Sequence, residues 1–150
     1  MRVVVQRVLE ASVTVEEEVV ASIAQGLLIL VGIEEEDNDE DSKWLSAKIS
    51  KLRIFEDENG LMNKSIVDVK GQVIVVSQFT LFASTKKGNR PGYSKAARPE
   101  IAITKYEHFV NQLELDLGKK VGTGIFGKDM KVNLINNGPI TLLIDTKSKE

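Results

Sequence analysis

LLILVGI, Leu27 to Ile33, is a nearly continuous apolar run in a chain of 150 residues, and its reading decides the fold. Side chains alternate between the two faces of a strand, so apolar residues at successive positions require cover on both. The run therefore predicts a central strand, begun after Gly26 and buried beneath another layer.

Before it, VVVQRVLEASVTVEEEVVASI, Val3 to Ile23, is rich in β-branched residues and reads as two strands of a hairpin, with Ala11-Ser12 as the break. After it comes the acidic run EEEDNDED, Glu34 to Asp41. Asp41 or Ser42 can cap a helix whose apolar positions Leu45, Ile49 and Leu52 recur at helical spacing. The acids then stand at the positive end of the helix dipole.

Further along, DENG at Asp57 to Gly60 predicts a turn, and Gly71 introduces another strand, QVIVVSQF. Ser84 to Pro99, STKKGNRPGYSKAARP, has no periodicity and predicts a long surface loop. Ala102, Tyr106, Phe109, Val110, Leu113 and Leu117 form one helical stripe with Gly118 as its stop, leaving His108 off the stripe. The tail predicts two strands, Met130 to Ile135 and Ile140 to Ile144, separated by Asn136-Asn137-Gly138-Pro139. This order of elements favours a mixed α+β layered domain, a single one over residues 1–150, rather than a doubly wound parallel sheet. No internal repeat, GxGxxG or P-loop is present.

Composition narrows the chemistry. The chain has no cysteine and a single histidine, His108, which excludes disulfides, a thiolate nucleophile and zinc sites built from cysteine or several histidines. No apolar run is long enough to cross a bilayer as a helix, and Met1-Arg2 leads straight into a strand-like segment, so the expected compartment is the cytoplasm and no membrane partner is expected. The net charge of -2 gives no overall pull toward nucleic acid. Locally, however, Lys86, Lys87, Arg90, Lys95 and Arg98 share one stretch free of carboxylates. RNA would approach that stretch and avoid the acidic run.

Three segments can carry chemistry. Ser77-Gln78-Phe79-Thr80-Leu81 presents hydroxyl, amide and backbone N–H groups at a strand end, although serine and threonine there can equally make local hydrogen bonds. Asn136 to Pro139 combines a glycine with an X-Pro bond, or is an ordinary turn. The basic loop with Tyr93 can contact phosphates and stack on a base, or is simply a solvated charged loop. A lone histidine such as His108 on a helix is more often a surface residue than a catalytic one.

Together, and in this order, these segments resemble the D-aminoacyl-tRNA deacylase family over essentially the whole chain. MRVVVQRVLEASVTV is similar to the family's opening, SQFTLFA at Ser77 to Ala83 to its first signature, and NNGPIT at Asn136 to Thr141 to its second, with Ile140 where valine is usual. KKGNRPGYSKAARP fits as well. The resemblance implies a layered β/β/α domain with mixed, partly barrel-like sheets, a homodimer, and a hydrolase needing no cofactor or metal. Its substrates would be D-aminoacyl-tRNAs and glycyl-tRNA mischarged on tRNA-Ala.

By the same resemblance Gly138-Pro139 would be cis and would reach into the partner's site to reject L-residues, while Ser77, Gln78, Phe79 and Thr80 would carry catalysis. N–H groups around Phe79 and Thr80 would hold the oxyanion, and Ser77 and Gln78 would position the ester. With no histidine base in evidence, Thr80 as nucleophile competes with water assisted by the terminal ribose 2′-OH, and the second is favoured. The rival reading is a non-catalytic RNA-binding module.

Overall fold

The computed structural model describes residues 1–150. Strand β1, Arg2–Val15, turns into β2, Glu18–Ile23, and then β3, Gly26–Gly32. Helix α1, Asp39–Lys51, and a two-stranded ribbon of β4, Phe55–Glu56, with β5, Met62–Lys64, lead to β6, Gln72–Ser77. A 3-10 turn, Phe79–Phe82, precedes helix α2, Pro99–Leu117; β7, Gly122–Thr123, and β8, Lys131–Asp145, complete the chain. The main sheet runs β2-β1-β3-β6-β7, with β8 also on β1. β1 meets β2, β3 and β8 antiparallel, whereas β3–β6 and β6–β7 are parallel. The fold is α+β, with a nearly closed mixed sheet under two helices.

The central strand behaves as its composition dictates. Leu27, Ile29 and Val31 face the helices and pack with Leu45, Ile49, Phe109 and Leu113. Leu28 faces the other way, among Val8, Val13, Ile74 and Val76. Each such fully buried side chain contributes about 1.5–3 kcal/mol, so β3 holds the layers together from the inside. Gly26 is required at its start, because a Cβ there would lie 1.7 Å from the Gln72 carbonyl oxygen. The α2 stripe is buried as its spacing predicts, and Gly118 ends the helix in the left-handed region. Tyr106 Oη donates to the Val75 carbonyl at 2.8 Å, tying α2 to the sheet. Burial, with Glu107 adding to it, pushes that phenol well above its ordinary pKa, so it remains a donor.

Four boundaries depart from the sequence reading. The hairpin does not break at Ala11-Ser12: β1 continues to Val15 because β8 pairs with it as far as Thr14. The reversal falls at Glu16-Glu17, both at positive φ (49° and 68°), a geometry usually signalled by Asn or Gly. The cap of α1 is Asn38, not Asp41 or Ser42. Asn38 accepts from the Glu40 and Asp41 N–H groups, and Asp41 reaches back to the Asn38 N–H, completing a capping box. QVIVVSQF is strand only to Ser77, and its last residues begin the 3-10 turn. Finally, Asn136 to Pro139 does not separate two strands. It is a bulge within β8, flanked by the pairs Val8–Asn136 and Gln6–Thr141.

Across the chain ends, the Met1 ammonium is buried in an ion pair with Asp37 and donates to Thr146 Oγ1 at 2.8 Å. No helix is long and apolar enough to cross a membrane.

The strained reversal gives a direct test. Left-handed backbone costs a non-glycine residue about 1–2 kcal/mol. Glu17→Gly is therefore expected to raise stability by about 1 kcal/mol, measured as a higher urea midpoint with an unchanged slope.

Candidate active site

Parallel strands β3 and β6 end side by side, and ligands favour the crevice beyond the carboxyl ends of such strands. There the structure opens a cleft of about 590 Å³. Val76, Ser77, Gln78 and Phe79 form its floor, the root of the basic loop from Tyr93 to Pro99 supplies one wall, and Phe126 to Met130 the other. Phe79 and Tyr93 are both exposed and meet edge to face, with ring centroids 4.9 Å apart. An aromatic pair left in solvent at the mouth of a cleft is a surface suited to a flat ring.

Hydrogen bonds and close packing position the floor. The Gln78 N–H donates to the Val31 carbonyl at 2.7 Å, which carries the geometry of β3 into the turn. The Leu81 N–H donates to the Gln78 carbonyl and the Ala83 N–H to that of Thr80. Gly32 lets the turn sit close on β3, since a Cβ there would lie 3.1 Å from Gln78 O, Leu81 Cβ and Phe82 Cδ2. The N–H groups of Phe79 and Thr80 open the turn and donate to no acceptor in the chain. The Gln78 side-chain amide donates to Thr80 Oγ1, orienting that hydroxyl. Neither Ser77 nor Thr80 has a hydrogen-bonded carboxylate or imidazole. His108 lies elsewhere, between the helices, with Nε2 3.5 Å from Asp39 Oδ1.

Gly138 and Pro139 are exposed and do not line the cleft of their own chain. They form the crest of the β8 bulge; the peptide bond between them is cis, and Gly138 has φ 122°. Asn136 Nδ2 donates to the carbonyls of Ile140 (2.9 Å) and Arg7 (3.0 Å), closing the base of the bulge. Beneath it lies Arg7, buried and without a carboxylate partner. Its Nε donates to Asn137 O at 3.2 Å and its Nη1 to Ile54 O at 2.7 Å. A Cβ on Gly138 would meet Arg7 Nη2 at 3.0 Å and Ile140 Cγ1 at 2.9 Å.

Arg7 was legible in principle. Val3, Val5 and position 7 share a face, so an arginine follows two valines on an inward stripe, which a cation enters only with a fixed set of acceptors. The Phe126 to Met130 wall carries no such signal.

Lys86, Lys87, Arg90, Lys95 and Arg98 are all exposed. The loop bearing them is pinned by paired backbone hydrogen bonds between Ser84 and Gly92. The acidic run and the basic loop are not kept apart: Arg98 Nε donates to Glu35 Oε1 at 2.9 Å. Arg98 is thus partly neutralised, while the other four stand free of ion pairs.

Residues 4–145 match the family described as D-Tyr-tRNA(Tyr) deacylase. The chain belongs to this family. A D-aminoacyl-tRNA deacylase of Flavobacterium psychrophilum is 65% identical over 150 residues, covering 100% of both chains. Its counterpart in Bacteroides thetaiotaomicron is 61% identical over the same span. Among solved structures, the c-Myc DNA unwinding element binding protein superposes with a TM-score of 0.89 at 39% identity, covering 97% of this chain and 98% of its own. A probable eukaryotic D-amino acid tRNA deacylase superposes with a TM-score of 0.83 at 15% identity, covering 95% and 97%, a likeness of fold alone.

For this deacylase fold Arg7 is the clearest internal test. Arg7→Ala leaves the buried carbonyl of Ile54 without its donor and loosens Asn137, so stability is expected to fall by about 1–3 kcal/mol in urea unfolding.

Proposed function

We propose that the chain hydrolyses the ester joining a D-amino acid to the 3′ end of tRNA, and that glycyl-tRNA-Ala is also a substrate. The observation that carries this reading is the pair of unused N–H groups on Phe79 and Thr80 beside an aromatic-lined cleft that contains no histidine. Such donors suit the charge that develops on a carbonyl oxygen during acyl transfer. Ser77 and Gln78 hold the ester end. The terminal adenosine takes the exposed Phe79–Tyr93 pair, and Lys86, Lys87, Arg90, Lys95 and Arg98 meet the phosphates behind it.

A hydroxyl without a base is a weak nucleophile, and Thr80 Oγ1 is engaged by Gln78. The ribose 2′-OH next to the ester is better placed to assist water. The catalytic contribution of the chain is then positioning and oxyanion stabilisation, with no cofactor.

Selection against L-residues falls to Gly138-Pro139. A pocket separates substrates differing by one methylene by only about 1–3 kcal/mol, so an enzyme acting on many D-residues needs a device that reads Cα alone. A braced piece of main chain supplies one by obstructing an L side chain. Glycine has nothing to obstruct and passes. The bulge lies outside the cleft of its own chain, which favours its acting in the site of a second copy. The free outer edge of β8 and the exposed side chains of Ile135 and Leu143 favour the homodimer this requires. The carbonyls near Gly138 then bind the amino group of the substrate.

The test compares release of D-tyrosine, L-tyrosine and glycine from matched tRNAs. The D- and glycyl-esters are expected to be cleaved and the L-ester spared. A Gly138-Pro139 double alanine variant is expected to lose that discrimination. A 2′-deoxy terminal ribose abolishes turnover, whereas Thr80→Ala retains it; full turnover of the 2′-deoxy substrate refutes the assisted route. Binding of tRNA without any release of D-tyrosine would instead leave a non-catalytic RNA-binding module.

A further inference from the structure

The catalytic turn is also anchored from outside its own segment. Arg2, at the start of β1, donates through Nη1 to the Leu81 carbonyl at 2.8 Å. Its Nε and Nη2 both lie 2.9 Å from Asp145 Oδ2, at the end of β8. The same guanidinium rests on the ring of Phe82, 4.7 Å from its centroid. Burial opposes the charge of Asp145, but the Lys147 N–H and Arg2 outweigh it and hold the carboxyl below its ordinary pKa. It therefore stays anionic at neutral pH and keeps the guanidinium oriented.

The other fixings of the turn are backbone hydrogen bonds and the close approach at Gly32. The hydrogen bonds restrain Gln78, just before the turn, and the spacing within it, while the Gly32 approach also packs, without polar contact, against Leu81 and Phe82. Arg2 alone supplies a charged side chain to its far end, gripping both Leu81 O and the Phe82 ring. A rigid body held at both ends cannot tilt, and the Phe79 and Thr80 N–H groups lie between the two anchors. Donors of this kind lose much of their effect when displaced by a fraction of an ångström.

We infer that Arg2 is a positioning residue for the hydrolytic step, aiming the Phe79 and Thr80 N–H groups by holding the far end of the 3-10 turn against the Asp145 end of β8. The inference rests on the deacylase reading above. It assigns Arg2 no contact with substrate. Removing Arg2 should thus lower turnover while leaving tRNA capture, which uses the basic loop and the cleft mouth, as it was.

The experiment is steady-state hydrolysis of D-tyrosyl-tRNA by the full chain and by Arg2→Gln, Arg2→Lys and Asp145→Asn, with a thermal melt of each. Arg2→Gln is expected to lower kcat about 10- to 100-fold with KM changed less than about twofold. Arg2→Lys, still able to reach the Leu81 carbonyl with a cation, recovers most of kcat, and Asp145→Asn falls between. A folded Arg2→Gln with unchanged kcat overturns the inference. So does a loss of kcat that merely follows the loss of folded protein and is not recovered in Arg2→Lys. Failure of the unmutated chain to release D-tyrosine is a different result: it overturns the deacylase reading first, and the role of Arg2 with it.

Discussion

Main-chain hydrogen bonding along both edges of β1 is the constraint on which the rest of the structure depends. On one edge the strand meets β3 and then β2; on the other it meets β8 almost throughout. A strand paired on both sides cannot slip, because a one-residue shift would turn every buried valine to the wrong face. Its register fixes two arginines of opposite duty. Arg2 reaches the 3-10 turn, and Arg7 lies beneath the β8 bulge. The two regions proposed for chemistry and for stereochemical rejection are thereby referred to one strand, although they do not share a cleft within the chain.

The chemistry proposed for this scaffold belongs mostly to the backbone. The turn offers N–H groups, the bulge offers carbonyls, and side chains such as Asn136 and Arg7 hold that backbone still. Such an arrangement suits a substrate whose amino-acid side chain varies while its ester, amino group and Cα do not. Preorganised dipoles need no rearrangement as charge develops, and fixed main chain excludes by shape without recognising what it admits.

Much of the fold was legible in the chain itself. LLILVGI is buried on both faces, and the α2 stripe with its glycine stop is read directly from spacing. The missed boundaries share a cause: each depends on a partner distant in sequence. Glu16-Glu17 carries no turn signal, yet adopts positive φ because β1 has to extend far enough to pair with β8. Asn136 to Pro139 has turn chemistry, but β1 opposite it continues, so the same residues form a bulge. Arg7 breaks an inward stripe and could have been singled out, whereas nothing in Phe126 to Met130 announces a cleft wall.

By itself, the sequence determined the layered α+β class, the exclusion of thiol and multi-histidine chemistry, and which short segments deserved chemical scrutiny. These follow from side-chain type and local period, properties each segment carries wherever it lies. The tertiary structure alone decided that Ser77, Gln78 and Phe79 line a cleft, that Gly138-Pro139 stands outside it, and that Glu35 reaches across to Arg98. Those outcomes depend on long-range pairing and packing, which set distances between residues that no local pattern relates.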